Sequence, residues 1–171
     1  MGNFYLVCGI SGGGKTTLSE KIIEKNPNIK FCDVDKYYEL INGDERIREN
    51  KFEVWHKVWE DLHKSELAGE DILITTNALS ESQRTQFVER LPLFTFHMIW
   101  VISPLEKCIE GNNLRPRHIP EDILLKHWNK MEFPNPSEEG WTTITHITNF
   151  WELNKYNIIK IKGNIEDYIE I

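Results

Sequence analysis

The sequence predicts an α/β domain built on a mostly parallel sheet, and three observations predict it. Short apolar runs alternate with longer stretches whose apolar residues recur at three- and four-residue spacing, the pattern of strands joined by crossover helices. A glycine-rich segment stands between the first run and the first such stretch. The chain has 171 residues with 40% hydrophobic and 27% charged, a globular composition of one-domain length, and it shows no internal repeat, linker or low-complexity tract. A single domain over residues 1–171 is therefore expected.

Residues 4–8 form a short apolar run that stops at glycine, a first strand. Residues 15–25 follow as a helix, with Leu18, Ile22 and Ile23 at helical spacing and Pro27 beyond its end. Residues 29–32 read as a second strand that runs into an acidic pair. The longest helix is predicted over 51–68, where Phe52, Trp55, Val58, Trp59 and Leu62 make one apolar face and Gly69 caps the end. Residues 71–75 are a third strand. Ser80 has the character of an N-cap and opens a helix to Leu91, with Phe87, Val88 and Leu91 inward. Residues 94–102 are almost wholly apolar, as a central parallel strand should be. Pro104 opens a short helix over 104–113 and Pro120 another over 120–133, around a basic loop at 114–118. Strand-like runs at 142–148 and 158–162 close the chain. The architecture expected is a five-stranded, mostly parallel sheet flanked by helices, with a small helical lid at about residues 104–133.

The glycine-rich segment, Gly9-Ile-Ser11-Gly12-Gly13-Gly14-Lys15-Thr16, satisfies G-x-x-x-x-G-K-[ST] in full. Each part has a physical reason. The glycines allow backbone conformations closed to other residues, so that successive N–H groups turn inward around phosphate oxygens. The helix that follows adds the positive end of its dipole. Lys15 reaches the β- and γ-phosphates, the Thr16 hydroxyl is a ligand for Mg²⁺, and Thr17 completes the nucleotide-binding set. The position of the match, after a strand and at the start of a helix, is the one the motif requires. The chain is thus read as a P-loop protein that binds ATP with Mg²⁺.

The remaining motifs separate the P-loop classes. Asn129-Lys130-Met131-Glu132 lacks the final Asp of a guanine-reading motif and lies in a predicted helix. The third strand ends in Thr75 and the fourth in Ser103, so neither carries the strand-end acid of a motor-type ATPase. The acids lie after the second strand, at Asp33 and Asp35, where strand ends face the ligand crevice of a doubly wound sheet. Asp35 there can accept the proton of an acceptor hydroxyl during phosphoryl transfer, and Asp33 is a candidate metal ligand. Helix capping is the competing reading of both. Arg115 and Arg117, on the segment Leu114-Arg-Pro-Arg-His118, form a cationic element suited to closing on the transferring phosphoryl group.

Taken together these segments resemble the polynucleotide-kinase-like P-loop kinases, which include the kinase domains of phage and eukaryotic 5′-hydroxyl polynucleotide kinases. Asp35-Lys36-Tyr37-Tyr38 looks like that family's Asp-Asp-Tyr segment, Leu79 to Arg84 like its L-T-P-x-x-R stretch, and Cys108 to Arg115 with Ile119-Pro120 like its lid. Glu132-Phe133-Pro134 followed by Glu139-Gly140-Trp141 resembles its F-E-x-P…E-G ending. The resemblance implies a nucleoside-kinase strand order, Asp35 as general base, Arg115 as lid arginine, and the 5′-hydroxyl of DNA or RNA as acceptor. The chain departs from the pattern at Thr75 and Ala78, where the family has Asp and Asn, at Gly111, and at Tyr38, where the phage enzymes carry an acceptor-binding arginine. A small-molecule hydroxyl is the alternative acceptor, and a nucleotide-binding regulatory module with little turnover is the alternative class.

Charge and cysteine usage set the remaining expectations. Twenty Lys plus Arg against 27 Asp plus Glu give a net charge of -7, which disfavours broad nucleic-acid coating and leaves room for a local basic site. Three cysteines without a CxxC predict buried thiols in a reducing cytoplasm. The six histidines make no HExxH, so zinc is not expected. No apolar run is long enough to span a bilayer and the first residues lack a signal-peptide pattern, so no membrane partner is expected. The tryptophans at 55, 59, 100, 128, 141 and 151 are assigned to core packing, with a base-stacking platform at Trp55 and Trp59 as the alternative.

Overall fold

The computed structural model describes residues 1–115, 119–152 and 155–171. In chain order the elements are β1 (Asn3–Cys8), α1 (Lys15–Lys25), β2 (Lys30–Asp33), α2 (Val34–Asn42), α3 (Lys51–Ala68), β3 (Ile72–Thr75), α4 (Glu81–Arg90), β4 (Thr95–Val101), α5 (Leu105–Asn113), α6 (Glu121–Asn129), β5 (Trp141–Glu152) and β6 (Lys155–Lys162), then a 3₁₀ turn at Ile165–Asp167. The sheet order is β2-β3-β1-β4-β5-β6. The first five strands are parallel and β6 is antiparallel to β5. The sheet therefore has six strands, not five. The run at 158–162 lengthens backward and folds directly onto β5, a connection short enough only for an antiparallel neighbour.

Burial of both faces follows from the strand composition. Along β1, Phe4, Leu6 and Cys8 pack on one side against α2, α3 and α4, while Tyr5 and Val7 pack on the other against Leu18 and Ile22 of α1 and against Ile165 and Ile169. Alternating side chains that are all apolar need cover on both faces. Trp100 and Trp141 lie in the core as expected.

Two elements differ from the prediction for local reasons. Helix α2 was not anticipated, although Asp33 caps it by accepting from the Asp35 N–H at 3.1 Å and Gly43 ends it in the left-handed region. Helix α6 stops at Asn129 rather than at 133. The segment beyond it is pinned to α4: Glu132 N–H donates to Leu79 O, and the Glu132 carboxylate accepts from Glu81 N–H.

His97 shows how tightly the second face is specified. Its ring is fully buried, stacked on Tyr5 and 4.2 Å from the Tyr168 ring. Asp71 holds the Asn3 amide by its Nδ2, so Asn3 Oδ1 faces His97 Nε2 at 3.2 Å, and Nδ1 meets Thr143 Oγ1 at 3.0 Å. This network takes a neutral imidazole with the proton on Nε2. Burial, partly opposed by Asp71, pushes the His97 pKa down to about 4. The unfolded chain thus binds more protons than the fold below pH ~6.5, and stability falls as pH drops from there to about 4. Urea unfolding at pH 7.5 and 4.5 is expected to show a His97-dependent loss of about 2–3 kcal/mol, absent in His97→Gln.

Candidate active site

The parallel register brings the carboxyl ends of β1, β2, β3 and β4 to one edge of the sheet. Val7 pairs with Thr75, Asp33 with Thr75, and Cys8 with Trp100. The loop from Gly9 to Gly14 leaves this edge and enters α1, with Gly14 as N-cap in the left-handed region.

Two glycines there have steric reasons as well as conformational ones. Gly9 (φ 141°) lies against the Val101 carbonyl, where a Cβ would come within 2.5 Å. Gly12 (φ 79°) lies against α5, where a Cβ would come within 2.0 Å of Cys108 O. The loop is thus seated on the helix that leads to the predicted lid. Ser103 Oγ donates to Gly13 O at 2.9 Å and reinforces the contact.

Lys15 is buried and its ammonium is held inside the loop, donating to Ile10 O at 2.9 Å and to Asn77 Oδ1 at 3.1 Å. Ser11 Oγ donates to the same Asn77 oxygen, and Asn77 O accepts the Gly9 N–H. Burial, with the nearby Arg115 guanidinium, pulls the Lys15 pKa down to about 8. A polyphosphate would supply the negative charge this ammonium lacks. Asn77 was not singled out from the sequence. Its position just past a strand that neighbours the P-loop strand was the available signal.

A cavity of about 440 Å³ opens here. Ser11, Lys15, Thr16, Asp33, Asp35 and Arg115 all line it, so residues from the loop, from β2–α2 and from just beyond α5 are brought together. Thr17 is exposed on the first turn of α1 and lies outside the cavity wall. Arg117 falls outside the described residues. Asp33 both caps α2 and faces the cavity, and burial raises its pKa. Capping and a site position are therefore compatible for this residue.

Asp35 faces a guanidinium at each oxygen. Arg48 Nη2 lies 2.5 Å from Oδ1 and Arg115 Nη2 lies 3.7 Å from Oδ2. Arg48 also lies over the Tyr38 ring, 4.1 Å from its centroid. Arg46, bound to Asp44, is on the same cavity wall. Neither arginine was legible in the sequence. A carboxylate oxygen that accepts from one arginine keeps a lone pair for a substrate hydroxyl, so the geometry leaves Asp35 usable as a base.

At the end of β3, Thr75 Oγ1 pairs with the buried Ser19 Oγ at 2.7 Å. A hydroxyl thus occupies the place of a strand-end acid. Among the described residues no cluster of three His, Cys, Asp or Glu could hold a metal ion by itself. The Thr16 hydroxyl and the Asp33 carboxylate are hard oxygen donors on one cavity, a set that fits Mg²⁺ shared with phosphate oxygens and water.

A buried ion pair braces this region. Arg84 Nη2 and Nε reach the two Glu138 oxygens at 2.5 and 3.1 Å, and both side chains are 0% exposed. Arg84 Nη1 donates to Glu132 O at 2.9 Å and to Leu79 O at 3.2 Å, and the guanidinium lies over Trp100. It is Glu138, one residue before the predicted Glu139-Gly140 pair, that does this.

The strand order and the loop define a P-loop kinase fold. The AAA_33 model, described as an AAA domain, matches residues 5–133, well over half of the chain, and the protein belongs to that family. No curated protein matches the sequence. Solved structures with a similar fold include a sugar kinase from Janibacter sp. HTCC2649, 20% identical, TM-score 0.63, over 86% of this chain and 84% of that one. A gluconokinase from Sinorhizobium meliloti 1021 is 18% identical, TM-score 0.60, over 86% and 82%. A chain of the Pnkp1/Rnl/Hen1 RNA repair complex is 15% identical, TM-score 0.68, over 75% of this chain and 43% of that one.

Proposed function

We propose that the protein is an ATP- and Mg²⁺-dependent kinase that transfers the γ-phosphoryl group to a hydroxyl. The observation that carries this reading is the convergence of Lys15, Asp35 and Arg115 on one cavity at the P-loop. The loop N–H groups and Lys15 hold the phosphates, and Arg115 is placed to offset charge on the transferring group. Asp35 takes the acceptor proton as the new P–O bond forms and the bond to the β-phosphate oxygen breaks. Thr16 and Asp33 would hold Mg²⁺, which when bound neutralises phosphate charge.

The acceptor is read as a small molecule, because a cavity of about 440 Å³ in a chain of net charge -7 suits a compact substrate better than a polyanion. The 5′-hydroxyl of DNA or RNA, implied by the motif resemblance, is the second reading. The cluster of Arg46, Arg48 and Arg115 beside Asp35 favours it, as a basic spot that grips one strand end. Transfer of label from γ-labelled ATP with Mg²⁺ tests both. The acceptors are 5′-hydroxyl DNA and RNA oligonucleotides, nucleosides and sugars, and Lys15→Ala is the control. Label on a small acceptor, lost in Lys15→Ala, is the expected result. Label on the oligonucleotides alone selects the second reading, and ATP binding without label on any acceptor overturns both.

A further inference from the structure

The kinase reading leaves one feature unused. A second cavity of about 440 Å³ adjoins the first, and Trp55, Thr76 and Asn77 line both. Its lining combines aromatic side chains with the polar Thr76, Asn77, Gln83 and Gln86. Trp59 and Phe87 pack together with ring centroids 5.1 Å apart, and Trp55 stands 6.4 Å from Trp59. Lys51 is the one charged side chain on its wall among the described residues.

Phe52 marks the mouth. Its place on α3, three and seven residues before Trp55 and Trp59, puts it on their side of the helix. The apolar face predicted for α3 includes it, yet Phe52 is 94% exposed, at the edge of the buried stripe of Val54, Val58, Trp59 and Leu62 and on the cavity wall. An exposed apolar ring at the rim of a cavity is a surface that a ligand can cover. Close by, Ala78 holds a left-handed backbone (φ 41°), a strained conformation for a residue with a Cβ and of the kind found at ligand sites.

We infer that this second cavity binds the body of the phosphate acceptor, and that the acceptor carries a planar aromatic ring. The inference rests on the kinase reading for the word acceptor, and on the cavity alone for the ring. The ring would lie against Phe52 and Trp55, with Trp59 buried behind them, and the chain bearing the hydroxyl would pass Thr76 and Asn77 toward Asp35. Phe52 and Trp55 offer faces for stacking, and Thr76, Asn77, Gln83 and Gln86 on the same walls offer donors and acceptors to the heteroatoms of a planar ring.

The test has a binding arm and a transfer arm. Ring-bearing probes (adenosine, uridine, phenyl β-D-glucopyranoside) and ring-free probes (D-glucose, D-gluconate) are titrated into protein saturated with a non-hydrolysable ATP analogue, and the same compounds serve as acceptors with ATP. Ring-bearing probes are expected to bind alongside the analogue. Phe52→Ala is expected to weaken that binding and raise the acceptor KM by about tenfold or more, with kcat held and with Phe52→Trp restoring both. Exposed Phe52 makes Phe52→Ala safe for folding. Equal binding of ring-free probes, indifference to Phe52→Ala, or displacement by the ATP analogue would each overturn the inference, while transfer to a ring-free acceptor would leave the kinase reading intact. Phe52-dependent binding of ring-bearing probes without transfer to any of them supports the cavity and counts against the kinase reading.

Discussion

Asp35→Asn is expected to lower phosphoryl transfer by about 10²–10⁴-fold, the usual contribution of a positioned base, while ATP binding persists. The amide keeps the size of the side chain and loses its ability to take a proton. It also loses two ion pairs, but these are partly exposed, and such pairs contribute about 0–1 kcal/mol to stability. Single-turnover transfer measured beside a thermal melt separates the two effects. A melt close to that of the parent with transfer abolished is the expected pair of results. Unchanged turnover in folded protein would remove Asp35 from the mechanism and leave it the partner of Arg48 and Arg115.

Arg84→Met is expected to cost about 3–5 kcal/mol, because it strands the Glu138 carboxylate in a site with no exposure to water. For a domain of this length that corresponds to a drop in Tm of roughly 6–20 °C. Glu138→Gln should cost less than Arg84→Met, since an amide still accepts from the guanidinium. The double variant Arg84→Met with Glu138→Leu should recover part of the loss, since no unpaired charge stays buried. Differential scanning calorimetry of the parent, Arg84→Met, Glu138→Leu and the double variant closes the cycle and measures the coupling directly. Equal and additive losses would show that the two side chains act separately.

These two predictions fall on opposite sides of what the sequence makes legible. The P-loop is local, six consecutive residues followed by a lysine and a threonine, so its chemistry can be read from its letters. The bounds of α3 were equally local: apolar spacing from Lys51 and the left-handed Gly69 at its end. Arg48 is not local. It reaches Asp35 only because the chain between α2 and α3 doubles back, held in part by Asn42 donating to Ile47 O and Glu49 O. No periodicity announces such a path. The pairing of Glu138 with Arg84 was not read from the sequence for a similar reason, since two adjacent glutamates look alike until burial distinguishes them. The sixth strand and α2 were both present as patterns, but pairing direction and a cap at Asp33 depend on neighbours far away in the chain. Phe52 is the reverse case: the helical pattern places it inward, and the structure leaves it exposed at the edge of the buried stripe.

Asn77 carries a thermodynamic consequence. Its side-chain oxygen holds Lys15 and Ser11, its carbonyl holds Gly9, and its residue forms the partition between the two cavities. Any ligand that shifts this partition on one side changes the free energy of occupancy on the other. Linkage then requires symmetry: whatever factor an occupant of the aromatic cavity applies to nucleotide affinity, the nucleotide returns to that occupant. With Trp55, Thr76 and Asn77 shared by the two walls, a substitution that alters occupancy of one cavity is expected to be read at the other.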